Sequence, residues 1–157
     1  KTVVPRNAHS ARGLGSWDDY AAPKPGFAEQ VYFLEVLGDS QGRTRTLLKN
    51  AQGTRGVSLM YNVGQLPCYS VWKNTTASAD GIVTGLEPGT NFPNPRSFEG
   101  RKGRVMKLAP GASVTLDLRL EMHASAAEVS AAERAVAQLQ GTTQPTIYGD
   151  PQPEWCS

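Results

Sequence analysis

The chain has 157 residues, a length that suits one ordinary domain, and its 39% apolar and 19% charged content excludes a disordered polymer. A formal net charge of +2 excludes the electrostatic footprint of a nucleic-acid binder. The densest basic run, Arg101-Lys102-Gly103-Arg104, is short enough to read as a solvated turn.

The start, Lys1-Thr2-Val3-Val4-Pro5, lacks a Met and reads like the end of a strand, as a processed or truncated fragment would. From Val3 to Gly26, prolines 5, 23 and 25 and glycines 13, 15 and 26 predict an irregular loop, with Trp17 and Tyr20 as anchors. Strands are predicted at Gln30–Leu37, Arg43–Leu48 and Arg55–Asn62, separated by the turn clusters Gly38–Gly42 and Asn50–Gly53. Short strands joined by such turns point to antiparallel meanders in a sandwich or barrel. Arg104–Leu108 is predicted as a further strand, turning at Ala109–Ala112 into the most regular one, Ser113–His123. There Val114, Leu116, Leu118, Leu120 and Met122 share one face, expected buried, and His123 falls on the opposite, wet face. Ser125 and Glu128 have capping-box spacing, Val129, Ala132, Val136 and Leu139 form a helical stripe, and Gly141 ends the helix. The tail from Gln144 should run extended, with Trp155 pinning it.

Phosphate-loop, nucleophile-elbow and zinc-protease motifs are missing from the sequence, and no metal or organic cofactor is expected. Cys68 and Cys156 have neither metal-ligand spacing nor a disulfide framework, and Cys68 reads as a small buried residue. A reduced, cytoplasmic setting follows as the expectation. No apolar run approaches the roughly 18 residues of a membrane helix, and no membrane partner is expected. His9 lies in the first loop, from where it could reach a site.

The unusual segment is Asp80–Arg96, a short strand ending in Glu87 and running into a loop with prolines 88, 93 and 95. Pro88 restricts Glu87 to extended angles, and a carboxylate so placed is held in one direction. Gly85-Leu86-Glu87-Pro88-Gly89-Thr90-Asn91-Phe92-Pro93-Asn94, followed by Arg104 to Ser113, resembles the C-terminal signature of aldose 1-epimerases (galactose mutarotases). The likeness extends through Trp72-Lys73-Asn74-Thr75 and the Pro-Glu-Trp tail to an uncharacterised bacterial subfamily of these proteins.

The resemblance implies an all-β, mainly antiparallel galactose mutarotase-like β-sandwich, present in part, with one C-terminal α-helix. Residues 1–123 would be the C-terminal half of the sandwich, and residues 124–157 a helix and tail packed on it. It implies Glu87 as the catalytic carboxylate and Glu29, beside the Ala28–Phe33 strand, as a sugar-binding acid. Trp72 would offer an apolar face to a sugar, with Asn74, Asn91 and Arg96 as further polar contacts. The implied activity is acid/base interconversion of sugar anomers in the complete protein, with a monosaccharide or related sugar as ligand. The family's general-acid His falls upstream of anything in this chain. A missing N-terminal half, or self-association, would therefore complete the sandwich. The alternatives are a non-catalytic carbohydrate-binding sandwich, a sugar-phosphate epimerase recruiting Arg96, Arg101 or Lys102, and a structural half-domain inactive by itself.

Overall fold

The computed structural model describes residues 1–157, which divide into two compact units. The first comprises residues 1–35, 68–107 and 145–157, the second residues 36–67 and 108–144.

The first unit is built on a five-stranded sheet. Its strands are β1 (Thr2–Pro5), β2 (Gln30–Glu35), β5 (Cys68–Asn74), β6 (Val83–Gly89) and β8 (Thr146–Ile147), in the order β6-β5-β2-β1-β8. All pairings are antiparallel except the short parallel one between β1 and β8. Strand β2 lies inside the sheet, and Val31, Tyr32, Phe33 and Leu34 are buried on both of its faces. That double burial is why this strand reads as an apolar run with no alternation. Strand β6 is an edge, so it tolerates Pro88, which has no N–H for a ladder.

The first loop is less irregular than its composition predicts. Thr2–Pro5 is a full strand, and a one-turn helix α1 (Ala8–Ala11) follows, capped by the Asn7 side chain on the Ser10 N–H. The rest of the loop is tied to β5 by Lys73, which is 3% exposed and donates from Nζ to the carbonyls of Ser16 and Asp19. The same ammonium lies 5.1 Å from the ring centre of Tyr20, and burial lowers its pKa. The hydroxyls of Tyr20 and Thr84 are 2.6 Å apart. Lys73→Met should therefore free Ser16–Tyr20, seen as faster amide exchange there with β2 still protected; unchanged exchange would show that the loop holds without the ammonium.

The second unit carries a three-stranded antiparallel sheet, β3 (Arg43–Lys49), β4 (Gly56–Asn62) and β7 (Leu118–His123), in the order β3-β4-β7. Helix α3 (Ala126–Gln140) has the expected capping box between Ser125 and Glu128 and buries Val129 and Ala132. Gly141 ends it with φ 55°, which favours glycine.

Four expectations fail. Arg104–Leu108 is not a strand, and the predicted strand at Ser113–His123 is regular only from Leu118. Its apolar face is bare, with Leu118, Leu120 and Met122 54%, 60% and 72% exposed. The two-residue period is real, but no layer of this chain covers it. His123, expected wet, is buried instead, with Nε2 2.8 Å from Ser58 Oγ. A 740 Å³ open groove in this unit, flanked by Arg45, Met60, Arg119 and Leu139, is lined by none of the six candidate site residues.

Candidate active site

Register places the key residues on one face of the first sheet. Glu87 pairs with Ser70 and Gly85 with Trp72 across β6 and β5. Ser70 in turn pairs with Phe33 and Trp72 with Val31 across β5 and β2. Directly opposed residues share a face, and so do residues two apart along a strand. Glu87, Gly85, Ser70, Trp72 and Asn74 therefore line one surface.

Glu87 is exposed at the sheet edge, and its side chain runs along the sheet. It folds back over Gly85, so that an added Cβ there would overlap Oε1 and lie 2.9 Å from the carboxyl carbon. Gly85 stands opposite Trp72, so the fold brings the carboxylate back toward the indole's row. Burial raises the Glu87 pKa above its ordinary value. On the other side of Trp72, Nε1–H donates to Glu29 Oε2 at 2.8 Å. One carboxylate, Glu29, thus bonds a half-buried indole, and a second, Glu87, lies over the residue paired with that indole. Such an arrangement offers an apolar plate with acceptors at its rim, which suits a small polyhydroxylated ring.

Gly85→Ala should push the Glu87 carboxylate outward and bring its pKa down toward the ordinary carboxylate range. A carbon-13 NMR titration of Glu87 checks this, and an unmoved titration would mean that the side chain does not rest over Gly85.

An apolar cluster supports this face. Val31, Phe33, Cys68 and Phe92 are buried, with Trp72, Trp155 and Cys156 packed against them. Phe92 stacks on Phe33 at 4.7 Å and on Trp155 at 5.0 Å between ring centres. Burial raises the Cys68 thiol to about 11, which makes it an inert filler.

The remaining candidates differ in placement. Asn74 follows Trp72 on the same face, half-buried, opposite Val83. Asn91 is exposed in the loop after β6; its Nδ2 donates to the Phe92 carbonyl at 2.7 Å, and its Oδ1 accepts from Thr90. Arg96 is exposed at the first residue of α2 (Arg96–Arg101). His9 is a local link, with Nε2 3.2 Å from the Ala28 carbonyl and Nδ1 3.0 Å from Arg12.

The basic run is not wholly solvated. Arg104 donates to the fully buried Glu99 from Nε at 2.6 Å and from a terminal nitrogen at 2.7 Å, and Lys102 pairs with Glu154 at 2.7 Å. Gly85, Phe92 and Glu99 are the contributors missed in sequence. Gly85, two residues before Glu87 on one strand face, could have been found from the period of two.

No helix of the chain is long and apolar enough to cross a membrane, and no group of three or more His, Cys, Asp or Glu is placed to hold a metal. No curated protein matches the chain. A solved structure from Klebsiella pneumoniae subsp. pneumoniae MGH 78578, described as a putative aldose 1-epimerase, is similar at 34% identity and a TM-score of 0.91. The match covers 97% of this chain and 39% of that one, so the chain spans about two fifths of its relative's length. The fold class is therefore the aldose epimerase-like β-sandwich, mainly antiparallel, with one C-terminal helix. Residues 1–122 match the family described as Domain of unknown function (DUF4432), and the chain belongs to that family.

Proposed function

We propose that this chain is the C-terminal half of an aldose 1-epimerase-type protein that interconverts the anomers of a monosaccharide, with Glu87 as its base. The observation that carries the reading is the Glu87 carboxylate folded over Gly85, partly desolvated, in the row of an indole whose N–H is already bonded to Glu29.

In this scheme the apolar face of a sugar ring lies on Trp72. Glu29, held by the indole N–H, accepts from sugar hydroxyls with its free lone pairs. Glu87 takes the proton from the C1 hydroxyl while an acid protonates the ring oxygen. The ring C1–O bond breaks and a C1 carbonyl forms. Rotation about C1–C2 and reclosure give either anomer, with each proton returned. Neither histidine suits the acid role, since His9 is engaged with Ala28 and Arg12 and His123 is buried against Ser58. The acid would come from polypeptide outside this chain.

The bare apolar face of β7 and the relative's greater length support the same conclusion. An apolar strand at a sheet edge is a liability unless it is covered. We assign its cover to the polypeptide corresponding to the relative's unmatched length. Intact mass and light scattering of the natural protein test this. A lone, non-associating subunit of 16.9 kDa would refute it, and a homo-oligomer would favour self-association.

Sugar binding is tested by titrating a panel of aldoses and their phosphates against Trp72 fluorescence. Enhancement by phosphate would favour a sugar-phosphate epimerase, although Lys102 is already committed to Glu154. Binding without anomer exchange would favour a carbohydrate-binding module, and no binding by any sugar would reject the reading.

A further inference from the structure

We infer that Glu99 is a positioning residue for this face, acting through the C-terminal tail. It fastens Glu154–Ser157 so that Trp155 and Phe92 form a wall beside the row of Trp72 and Glu87. The inference rests on the carbohydrate reading for what the wall borders, and on the hydrogen bonds of Glu99, Asn94 and Arg104 for the fastening.

Glu99 is fully buried in a helix of only six residues, an unusual place for a carboxylate. It accepts two hydrogen bonds from Arg104 and one, at 2.7 Å, from Asn94 Nδ2. Burial pushes its pKa up, but these donors and the Phe92 N–H outweigh it, and the net direction is down. The two side chains that hold the carboxylate are also the two that hold the tail. Asn94 Nδ2 donates its second hydrogen to the Trp155 carbonyl at 2.8 Å, and its Oδ1 accepts from the Ser157 N–H at 3.3 Å and hydroxyl at 3.2 Å. Arg104 donates to the Glu154 carbonyl at 3.0 Å.

The carboxylate thus sets the orientation of Asn94 and Arg104, and they capture main-chain groups fifty or more residues later. What they deliver is Trp155, stacked on Phe92, which is stacked on Phe33. Phe33 lies opposite Ser70, and Ser70 opposite Glu87. The Arg104 guanidinium also sits 5.3 Å from the Phe92 ring centre, so one network holds both the ring and the tail. The family match ends at residue 122, so the tail lies outside the matched region while supplying an aromatic to this cluster.

Three variants of the full chain test this: Glu99→Gln, deletion of residues 152–157, and the two combined. Glu99→Gln should speed amide exchange at Trp155 and Cys156 about tenfold, with β2 and β5 still protected. It should weaken aldose binding about tenfold. The deletion should weaken binding equally, and the combination should weaken it no further, because both act through the tail. Glu121→Gln, in the second unit, should change neither readout. Unchanged tail exchange in Glu99→Gln overturns the fastening. A released or deleted tail with unchanged affinity, or losses that add, overturns the positioning role. Should Glu99→Gln unfold, the deletion decides by affinity against β2 and β5 protection. A wild-type chain that binds no aldose removes the carbohydrate reading, while the exchange measurement still decides the fastening.

Discussion

Glu87→Gln is expected to slow anomer exchange by at least about 100-fold in the complete protein, the usual scale for loss of one positioned base. Glutamine keeps the size and hydrogen-bonding shape that rest over Gly85, so the substitution removes proton transfer and leaves the packing. Sugar affinity should change far less than rate, since Trp72 and Glu29 remain in place. The pH profile gives a second signature. Burial raises the Glu87 pKa, and the base form is the deprotonated one, so the rate should fall as pH drops through a value above the ordinary carboxylate range. That limb should vanish in the glutamine variant. Stability runs the other way. A raised folded-state pKa favours the protonated form, so its contribution is present at low pH and lost as pH rises through that value. Glu87→Gln should therefore not lower the melting temperature at neutral pH. NMR exchange spectroscopy of an aldose with both proteins, across pH, measures all of this. A glutamine variant within a fewfold of wild type would remove Glu87 from the chemistry.

Phe33→Ala should cost about 3–5 kcal/mol, a large part of the roughly 5–15 kcal/mol that holds a domain together. Phe33 is fully buried, and its ring is the floor on which Phe92 stacks. Truncation leaves a cavity beside the residues that carry the site, on the same face of the sheet. Met122→Ala, by contrast, should stay within about 0.5 kcal/mol in the chain alone, because its side chain stands in solvent. Urea unfolding of the two variants separates these cases. Equal costs would mean that β7 is covered, which would indicate association of the isolated chain.

The contrast shows where the sequence was legible. Helix α3 could be read almost to the residue, because its cap, stripe and terminal glycine are local signals. Strands β3 and β4 were placed nearly as well by the turns that bound them. Strand β7 misled: its alternation is regular, but Leu118, Leu120 and Met122 on its apolar face stand exposed. His123 misled for a related reason. A polar residue on the presumed wet face became buried because Ser58 lies beside it to satisfy the imidazole, and register across strands is not written in either segment alone. At the site, Glu87 stood out through its proline-stiffened loop. Its partnership with Gly85 and Trp72 depends on pairing between β5 and β6, and the Glu99 network joins residues 94 to 104 with residues 154 to 157. Such long-range pairings leave little trace in local pattern. Arg104 is the sharpest case, since it sits in a run that reads as a solvated turn while its guanidinium neutralises a buried acid.

A crystal structure of the protein carrying this sequence, soaked with an aldose that it binds, tests the central claim most directly. The C1 hydroxyl should lie within hydrogen-bonding reach of Glu87, about 2.5–3.0 Å, with the ring's C–H face on Trp72 and a hydroxyl on Glu29. A sugar bound elsewhere, or one whose anomeric carbon points away from that carboxylate, would contradict it.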